Sequence, residues 1–210
     1  MLTTVGKVRD IMGLGQDTGI TDAVIIEMIK IAQEKLKHDL YKHHYDETPE
    51  GCWIDGSLWN GNNVRFTISF PVMDSNFDGK VDGDDIIGYW FNSDNNTSSC
   101  SITVVDSRYG HIKIYQSDGS TPIPSNAKDI KLEYYTLKYN VNSQMLSDLC
   151  TYLTCHLVSI AIAEPDKITV ADIEGNQQRM LLEIDKKNSK YRYMYMELLN
   201  RYRSPRFRST

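Results

Sequence analysis

The hydrophobic period of this chain changes twice. From about Thr21 to Tyr45 apolar residues recur at helical spacing, from about Pro49 to Tyr139 they alternate with polar ones between frequent turn residues, and from about Ser143 the helical spacing returns. A pattern of period 3.6 buries one stripe and a pattern of period two buries one face of a sheet, so the three stretches cannot form one uniform element. The expected fold class is therefore α+β: a helical core of one N-terminal and two C-terminal helices, with an inserted antiparallel β-module. The expected boundaries are residues 1–48 and 140–204 for the helical domain, 49–139 for the β-module, and 205–210 for a basic tail.

Within the first stretch, Ile25, Ile29, Ala32, Leu36 and Leu40 fall in an arc of about 80° on a helix that Thr21 and Asp22 can cap. Val24, Met28 and Ile31 add a second stripe, so either the helix is central in its own domain or a neighbouring subunit covers the extra face. Val5 to Met12 predicts a short helix or turn. The string GLGQDTG after it lacks the G-x-G-x-x-G spacing, follows no strand, and carries no phosphate-binding expectation. The alternating segments Val64–Phe70, Ile86–Phe91, Ile102–Val105, His111–Tyr115 and Ile130–Tyr135 predict strands joined by polar hairpins, enough for a small sandwich or barrel. Met145, Leu149, Leu153, Leu157 and Ile160 predict a helix up to Pro165, and Ile168–Ile173 a brief extended stretch. Leu181, Ile184, Tyr191, Tyr195, Leu198, Leu199 and Tyr202 predict a last helix of about 40 Å running to Arg203.

With 40% hydrophobic and 24% charged residues over 210 positions, the chain can bury a core without staples. No run approaches the roughly 20 apolar residues of a membrane span, and the start lacks the apolar core of a secretory signal, so synthesis in the cytoplasm without membrane attachment is expected. Cys52, Cys100, Cys150 and Cys155 show no C-x-x-C spacing and are expected to be reduced, buried apolar residues. The net charge of −5 is uneven: residues 186–210 hold eight basic side chains and one acid, +7, which leaves −12 on the first 185. A basic end on an acidic body suggests an acidic partner. On the last helix and tail, Arg201, Tyr202, Arg203, Arg206, Phe207 and Arg208 are the candidate partner-binding residues, while Tyr191, Tyr195 and Tyr202 are explained first by packing.

The sharpest local pattern runs from Asp74 to Asp85. Against a twelve-residue calcium loop, Asp74, Asn76 and Asp78 supply oxygens at positions 1, 3 and 5, and Gly79 makes the turn at 6. Lys80 offers its carbonyl at 7, Val81 is the apolar residue at 8, and Asp82 and Asp85 occupy 9 and 12. The string resembles the loops of EF-hands and, more closely, of dockerin modules, which implies a bound Ca2+. Its flanks are not paired helices, so a structural clip is expected rather than a sensor. The competing expectation is an Asp- and Gly-rich hairpin tip without an ion. His38, His43 and His44 are expected on a solvated helix end, and His111 and His156 as packing residues. No catalytic string is present, and the expectation is a protein that is not an enzyme.

The opening Val8-Arg9-Asp10-Ile11, then Gly19-Ile20-Thr21-Asp22-Ala23-Val24-Ile25 leading into Ile29 to Leu36, resembles the head-tail connector (adaptor) proteins of tailed bacteriophages. Ile102-Thr103-Val104, Arg108 to Ile114 and Ile130 to Tyr135 resemble strands of versions that carry a sheet. The resemblance covers residues 5–45 and 100–203, and the calcium-like loop and the large β insertion depart from it. It implies a non-enzymatic virion protein at the neck, assembled as a homo-oligomeric ring, commonly of twelve subunits, beneath the portal. Such a ring lengthens the DNA channel, lets DNA pass without sequence-specific binding, and offers a platform to the stopper or tail protein. The resemblance also implies that the C-terminal segment docks on the portal. A calcium-dependent binding module of dockerin or adhesin type is the alternative, resting on Asp74 to Asp85 alone; a DNA-binding regulator is a third, without a recognition helix to support it.

Overall fold

A computed structural model describes residues 2–15, 19–139, 142–163 and 189–203. The chain divides into two compact units, Met1–Leu40 with Tyr139–Thr210, and Tyr41–Lys138.

The first unit is helical. Helix α1, Val5–Met12, starts on Thr4, whose side chain accepts the Lys7 N–H, and stops at Gly13 in the left-handed conformation (φ 67°). Helix α2, Asp22–Leu40, begins after Thr21, whose hydroxyl accepts the Val24 N–H at 3.4 Å. All five residues of its expected stripe are 0% exposed, and Met28 and Ile31 on the second stripe are buried as well. Val24, the remaining residue of that stripe, is half-buried, so the extra apolar face is covered within the chain over Met28 and Ile31 and partly open at the start of the helix.

Helix α3, Ser143–Ala163, packs against α1, α2 and the last helix, α4, Lys190–Arg203. Its stretch Ser143–Ile162 is long and apolar enough to cross a membrane, which the run-length argument did not anticipate, but 67% of that window is buried inside the unit. Polar positions on α3 are satisfied locally: the Thr151 and Thr154 hydroxyls donate to the carbonyls of Ser147 and Cys150. Thr3 and Thr151 share a buried hydroxyl contact of 2.8 Å, and Lys7 pairs with Asp148 at 3.0 Å, tying α1 to α3.

The continuous final helix expected from Leu181 is corrected here. Ser189 is not helical; its hydroxyl accepts the Arg192 N–H and its carbonyl the Tyr193 N–H, which makes it the N-cap of a 14-residue helix about 21 Å long. A capping serine ends the backbone pattern that the side-chain period alone would carry through. Ile168–Ile173 and Leu181 to Ile184 lie outside the described residues.

The second unit is a six-stranded antiparallel sheet: β1 Tyr41–Glu47, β2 Arg65–Thr67, β3 Ile86–Phe91, β4 Thr97–Asp106, β5 His111–Gln116 and β6 Asp129–Leu137, in the order β1-β6-β3-β4-β5-β2. The helix expected to reach Tyr45 stops at Leu40, and Tyr41 to Glu47 form β1, paired with β6 from Tyr41 opposite Leu137 to Glu47 opposite Leu132. The module therefore begins at Tyr41 rather than at residue 49. No Gly or Pro marks this switch. It is decided by cross-strand rings: His43 stacks on Tyr135 at 4.1 Å and His44 on Tyr134 at 5.1 Å. The expected strand Val64–Phe70 shrinks to Arg65–Thr67; beyond it Ile68 still follows the β2–β5 register, donating its N–H to the Gly110 carbonyl at 2.9 Å where β5 gives way to its turn. That approach needs a glycine, since a Cβ at Gly110 would lie 2.3 Å from the Ile68 oxygen.

The sheet curls around one core, to which Ile86, Ile130 and Leu132 contribute from one half and Phe66, Ile112 and Ile114 from the other. The two ends of the strand order approach each other. After β1 the chain crosses to β2, where Glu50 donates to Thr67 at 2.9 Å and Thr67 to Gly51 at 2.8 Å. Glu47 Oε1 then accepts the Ser69 N–H, so β1 and β2 are linked by chain that covers part of each edge.

Candidate functional site

The loop from Asp74 to Asp85 is folded by its own side chains. Asp74 Oδ2 accepts the Gly79 N–H at 2.9 Å, Asn76 Oδ1 that of Asp78 at 2.9 Å, and Asp78 Oδ1 that of Lys80 at 2.8 Å. Asp82 Oδ1 caps the short 3-10 turn Gly83–Asp85 by accepting the Asp84 N–H at 3.0 Å. Asp85 is 3% exposed; its Oδ1 accepts from the backbone and hydroxyl of Ser75 at 2.6 and 3.0 Å, and its Oδ2 from Asp82 N–H at 3.2 Å. Two left-handed residues make the coil, Phe77 (φ 60°) and Gly79 (φ 96°). The strain at Phe77 is offset by burial of its ring, 4% exposed and 5.9 Å from Tyr41. Tyr41 also donates its O–H to the Asp74 carbonyl at 3.3 Å.

Two features bear on a cation. Asp74 Oδ1 is buried without a hydrogen-bond partner. Burial pushes the Asp74 carboxyl above its ordinary range; the Gly79 N–H opposes that shift, and the nearby charges of Asp85 and Asp78 add to it. A half-buried carboxylate with one bare, buried oxygen and crowded by like charge suits a divalent cation, which would complete that oxygen and reverse the repulsion. The residues that would hold it are Asp74, Asn76, Asp78, Asp82 and Asp85 with the Lys80 carbonyl, a hard-oxygen set of the kind calcium takes. Among the described residues no three His, Cys, Asp or Glu side chains are gathered around a point as they stand. Neither flank is helical. Ser69 to Met73 carries no regular element before the loop, and the 3-10 turn and β3 follow it.

The second candidate is the outer side of α4. Tyr191, Tyr195 and Leu199 are buried, and Tyr195 donates its O–H to Asp39 Oδ2 on α2 at 3.0 Å. The opposite side leaves Tyr193 71%, Met194 37% and Met196 36% exposed. A shallow groove of about 400 Å³ there is lined by Tyr193, Met196, Glu197, Asn200 and Arg201. Arg201 pairs with Glu197 one turn earlier and keeps a side chain 68% exposed. Tyr202 is half-buried and Arg203 exposed; Arg206, Phe207 and Arg208 lie outside the described residues.

The histidines are placed differently from expectation. His38 stays exposed on α2, but His43 and His44 sit on β1 facing opposite sides of the sheet. His43 Nε2 lies 2.7 Å from Glu133 Oε1, off the line of a hydrogen bond. His44 Nε2 contacts Thr136 Oγ1 at 3.0 Å, its Nδ1 stands 3.5 Å from Glu47 Oε2, and Glu47 accepts the Tyr134 O–H at 2.6 Å. Burial lowers the His44 pKa, with Lys42 adding to the effect and Glu47 opposing it. His156 is wholly buried, its Nδ1 2.9 Å from the capping hydroxyl of Ser189. The four cysteines are free, and burial pushes the Cys100, Cys150 and Cys155 thiols up to about 12, which leaves them unreactive.

Sequence reasoning overlooked a third cluster. Trp53, in the link after β1, stacks on His111 of β5 at 4.8 Å, with Arg65 of β2 over its ring at 5.8 Å and Tyr109 at 5.8 Å from the imidazole. Only the outward register of Arg65 and His111 on alternating strands hinted at it. Against this geometry, no protein-family model matches the chain, and neither does any curated protein or solved structure.

Proposed function

We propose that this chain is a structural virion protein, a head-tail connector that assembles as a homo-oligomeric ring of twelve subunits beneath the portal. In that role it is not an enzyme. It extends the DNA channel and gives the stopper or tail protein its platform; it is made in the host cytoplasm and resides at the neck of the particle. The observation that carries this reading is the uncovered side of α4. Tyr, Met and Arg are the residues enriched where proteins meet, and Tyr193, Met194, Met196, Arg201 and Arg203 remain accessible on a helix whose other side is fully packed. An acidic body beside a duplex disfavours attractive phosphate contacts, which suits a channel through which DNA must slide.

The test is the combined variant Arg201→Glu, Arg203→Glu, Arg206→Glu and Arg208→Glu. It folds as the parent does by circular dichroism and fails to attach to portal-bearing heads. Attachment at the parental level would overturn the reading.

Within this function the loop from Asp74 to Asp85 takes Ca2+ as a clip on the β-module. A second reading, a calcium-dependent binding module of dockerin or adhesin type, draws on the same buried, unpartnered Asp74 Oδ1. Titration calorimetry with calcium chloride, repeated on Asp78→Ala, separates the two. A clip raises the melting temperature and leaves partner attachment unchanged by chelator, whereas a binding module loses its partner when chelated.

A further inference from the structure

The β-module carries two uncovered apolar patches of opposite charge on the outsides of different strands. The first surrounds the Trp53 and His111 stack, where Ile54 is 62%, Val105 48% and Tyr109 70% exposed. Its cations are Arg65, Arg108 and Lys113, and among the described residues no carboxylate lies within ion-pair distance of any of them. Two carboxylates also lie on this side, Asp55 with its Oδ1 accepting the Ser57 N–H and Asp106 with its Oδ1 accepting the Arg108 N–H, both at 2.9 Å; they leave the patch positive by one charge.

The second patch lies on β3, whose inward residues Ile86 and Gly88 leave Ile87 49% and Tyr89 41% exposed on the outside. Asp84 before the strand and Asp94 in the hairpin after it bracket these side chains. Both are exposed, and among the described residues neither has a cation partner. The nearby lysines are taken, Lys131 by Asp129 at 2.9 Å and Lys128 by Asn95 Oδ1 at 2.7 Å. β3 and β5 lie on either side of β4 in a sheet curled around one core, and among the described residues no ion pair joins the two patches within a chain.

We infer that the β-modules of neighbouring copies pack head to tail, the Trp53, Tyr109 and Arg65 patch of one covering the Ile87, Tyr89 and Asp84 patch of the next. The contact is heterologous: it uses two different surfaces, so it repeats from copy to copy and closes into a ring where the rotation allows. Aromatic and aliphatic side chains form its centre, and the cations of one copy meet the free carboxylates of the next around the rim. The inference rests on the self-assembly in the proposed function and locates it in the β-module, since most of the apolar surface of α2 is buried within its own unit.

The experiment uses the full chain in three forms: the parent, a cation-patch variant (Arg65→Glu, Arg108→Glu, Lys113→Glu) and an acid-patch variant (Asp84→Lys, Asp94→Lys). Self-association is followed by sedimentation velocity up to about 1 mM, where even a contact of roughly 4 kcal/mol is half-formed. The parent is expected to form species larger than a dimer, more weakly as salt rises. Each variant alone associates roughly tenfold or more weakly. A mixture of the two variants associates in alternating copies, through the doubly reversed pair of patches and through the unaltered patch that each variant retains. Tyr109→Ser and Ile87→Ser, which leave every charge and the core in place, should weaken association in the same direction. A parent that stays monomeric throughout, variants that associate like the parent, or a mixture no stronger than its components would each overturn the contact. The arginine variants of α4 touch neither patch, so the two ideas fail separately. A chain that self-associates through these patches but docks on no portal sinks the connector role alone, and a neck ring that forms with both patches reversed sinks this contact alone.

Discussion

The helical unit and the β-module handle apolar surface in opposite ways. In the helical unit most of the surplus is absorbed: the first stripe of α2 is buried and so are Met28 and Ile31 of the second, α3 packs against α1, α2 and α4, and its threonines bond back to their own helix. Among the described residues the unit's exposed large apolar side chains are Ile11 on α1, Ile162 near the end of α3, and the group Tyr193, Met194 and Met196 on the outer side of α4. In the β-module one face of every strand is committed to the core, and the other face must look outward, where Ile87, Tyr89, Val105 and Tyr109 remain. A helix bundle can close over a central helix on all sides, whereas a single curled sheet has an outside by construction. Exposed apolar residues therefore mean more on α4, where an alternative existed, than on any one strand, and on the strands they mean something only when grouped with unpaired charge.

Core substitutions break this comparison most strongly. Leu153→Ala on α3 is expected to cost about 2–5 kcal/mol, read as a lower urea midpoint in the helical circular dichroism signal; a cost below 1 kcal/mol would show that α3 is less enclosed than its 1% exposure implies. On the β side, Tyr134→Phe removes the donor to Glu47 Oε2 and is expected to cost about 1–3 kcal/mol, seen as an earlier loss of near-ultraviolet signal. Double variants with Glu47→Gln should cost less than the sum if the two residues act as one network.

Acidification sharpens the contrast within the β-module. The His44 pKa is lowered in the folded state, so folding favours the neutral ring. That contribution is present above the ordinary histidine value of about 6.5 and is lost as the pH falls through it. Asp74 has the opposite sign: its raised pKa makes the ionised form unfavourable at neutral pH, and stability is regained as the pH falls through the folded value. The melting temperature of His44→Gln should therefore vary less than the parent's between pH 7 and 5, and that of Asp74→Asn less than the parent's in the carboxylate range. An unchanged pH profile in His44→Gln would remove His44 as the responsible group.

The smallest effect is expected at the surface. Arg201→Gln loses only an exposed i,i+4 pair with Glu197, about 0.3–0.5 kcal/mol, measured as a shift of the urea midpoint near the limit of detection. The charge reversals on α4 would then report on docking and not on folding.

Much of the helical unit was legible because its signal is local. Thr4 and Gly13 end α1, Thr21 starts α2, and the 3.6-residue stripe named its five buried residues. The coil of the Asp74–Asp85 string is local in the same way, since Asp74, Asn76, Asp78 and Asp82 each reach a backbone N–H two to five residues ahead. Ser189 was passed over although a serine before a helix is a recognisable cap, because the apolar period ran on across it. Tyr41 to Glu47 was misplaced because its strand-favouring tyrosines alternate with Lys, His, Asp and Glu and carry no apolar alternation, and the rings of Tyr134 and Tyr135 that pair with His44 and His43 lie ninety or more residues away.

By itself the sequence determined where the period changes, hence an α+β chain with a β-module between helices, and which short strings coil on themselves. Only the tertiary structure decided where α2 hands over to β1, that most of the second stripe of α2 is covered from within, and that Trp53, Arg65 and His111 meet. The division follows range: caps, turns and stripes are settled by neighbours a few residues apart, whereas strand partners and surface patches join residues whose proximity no local preference encodes.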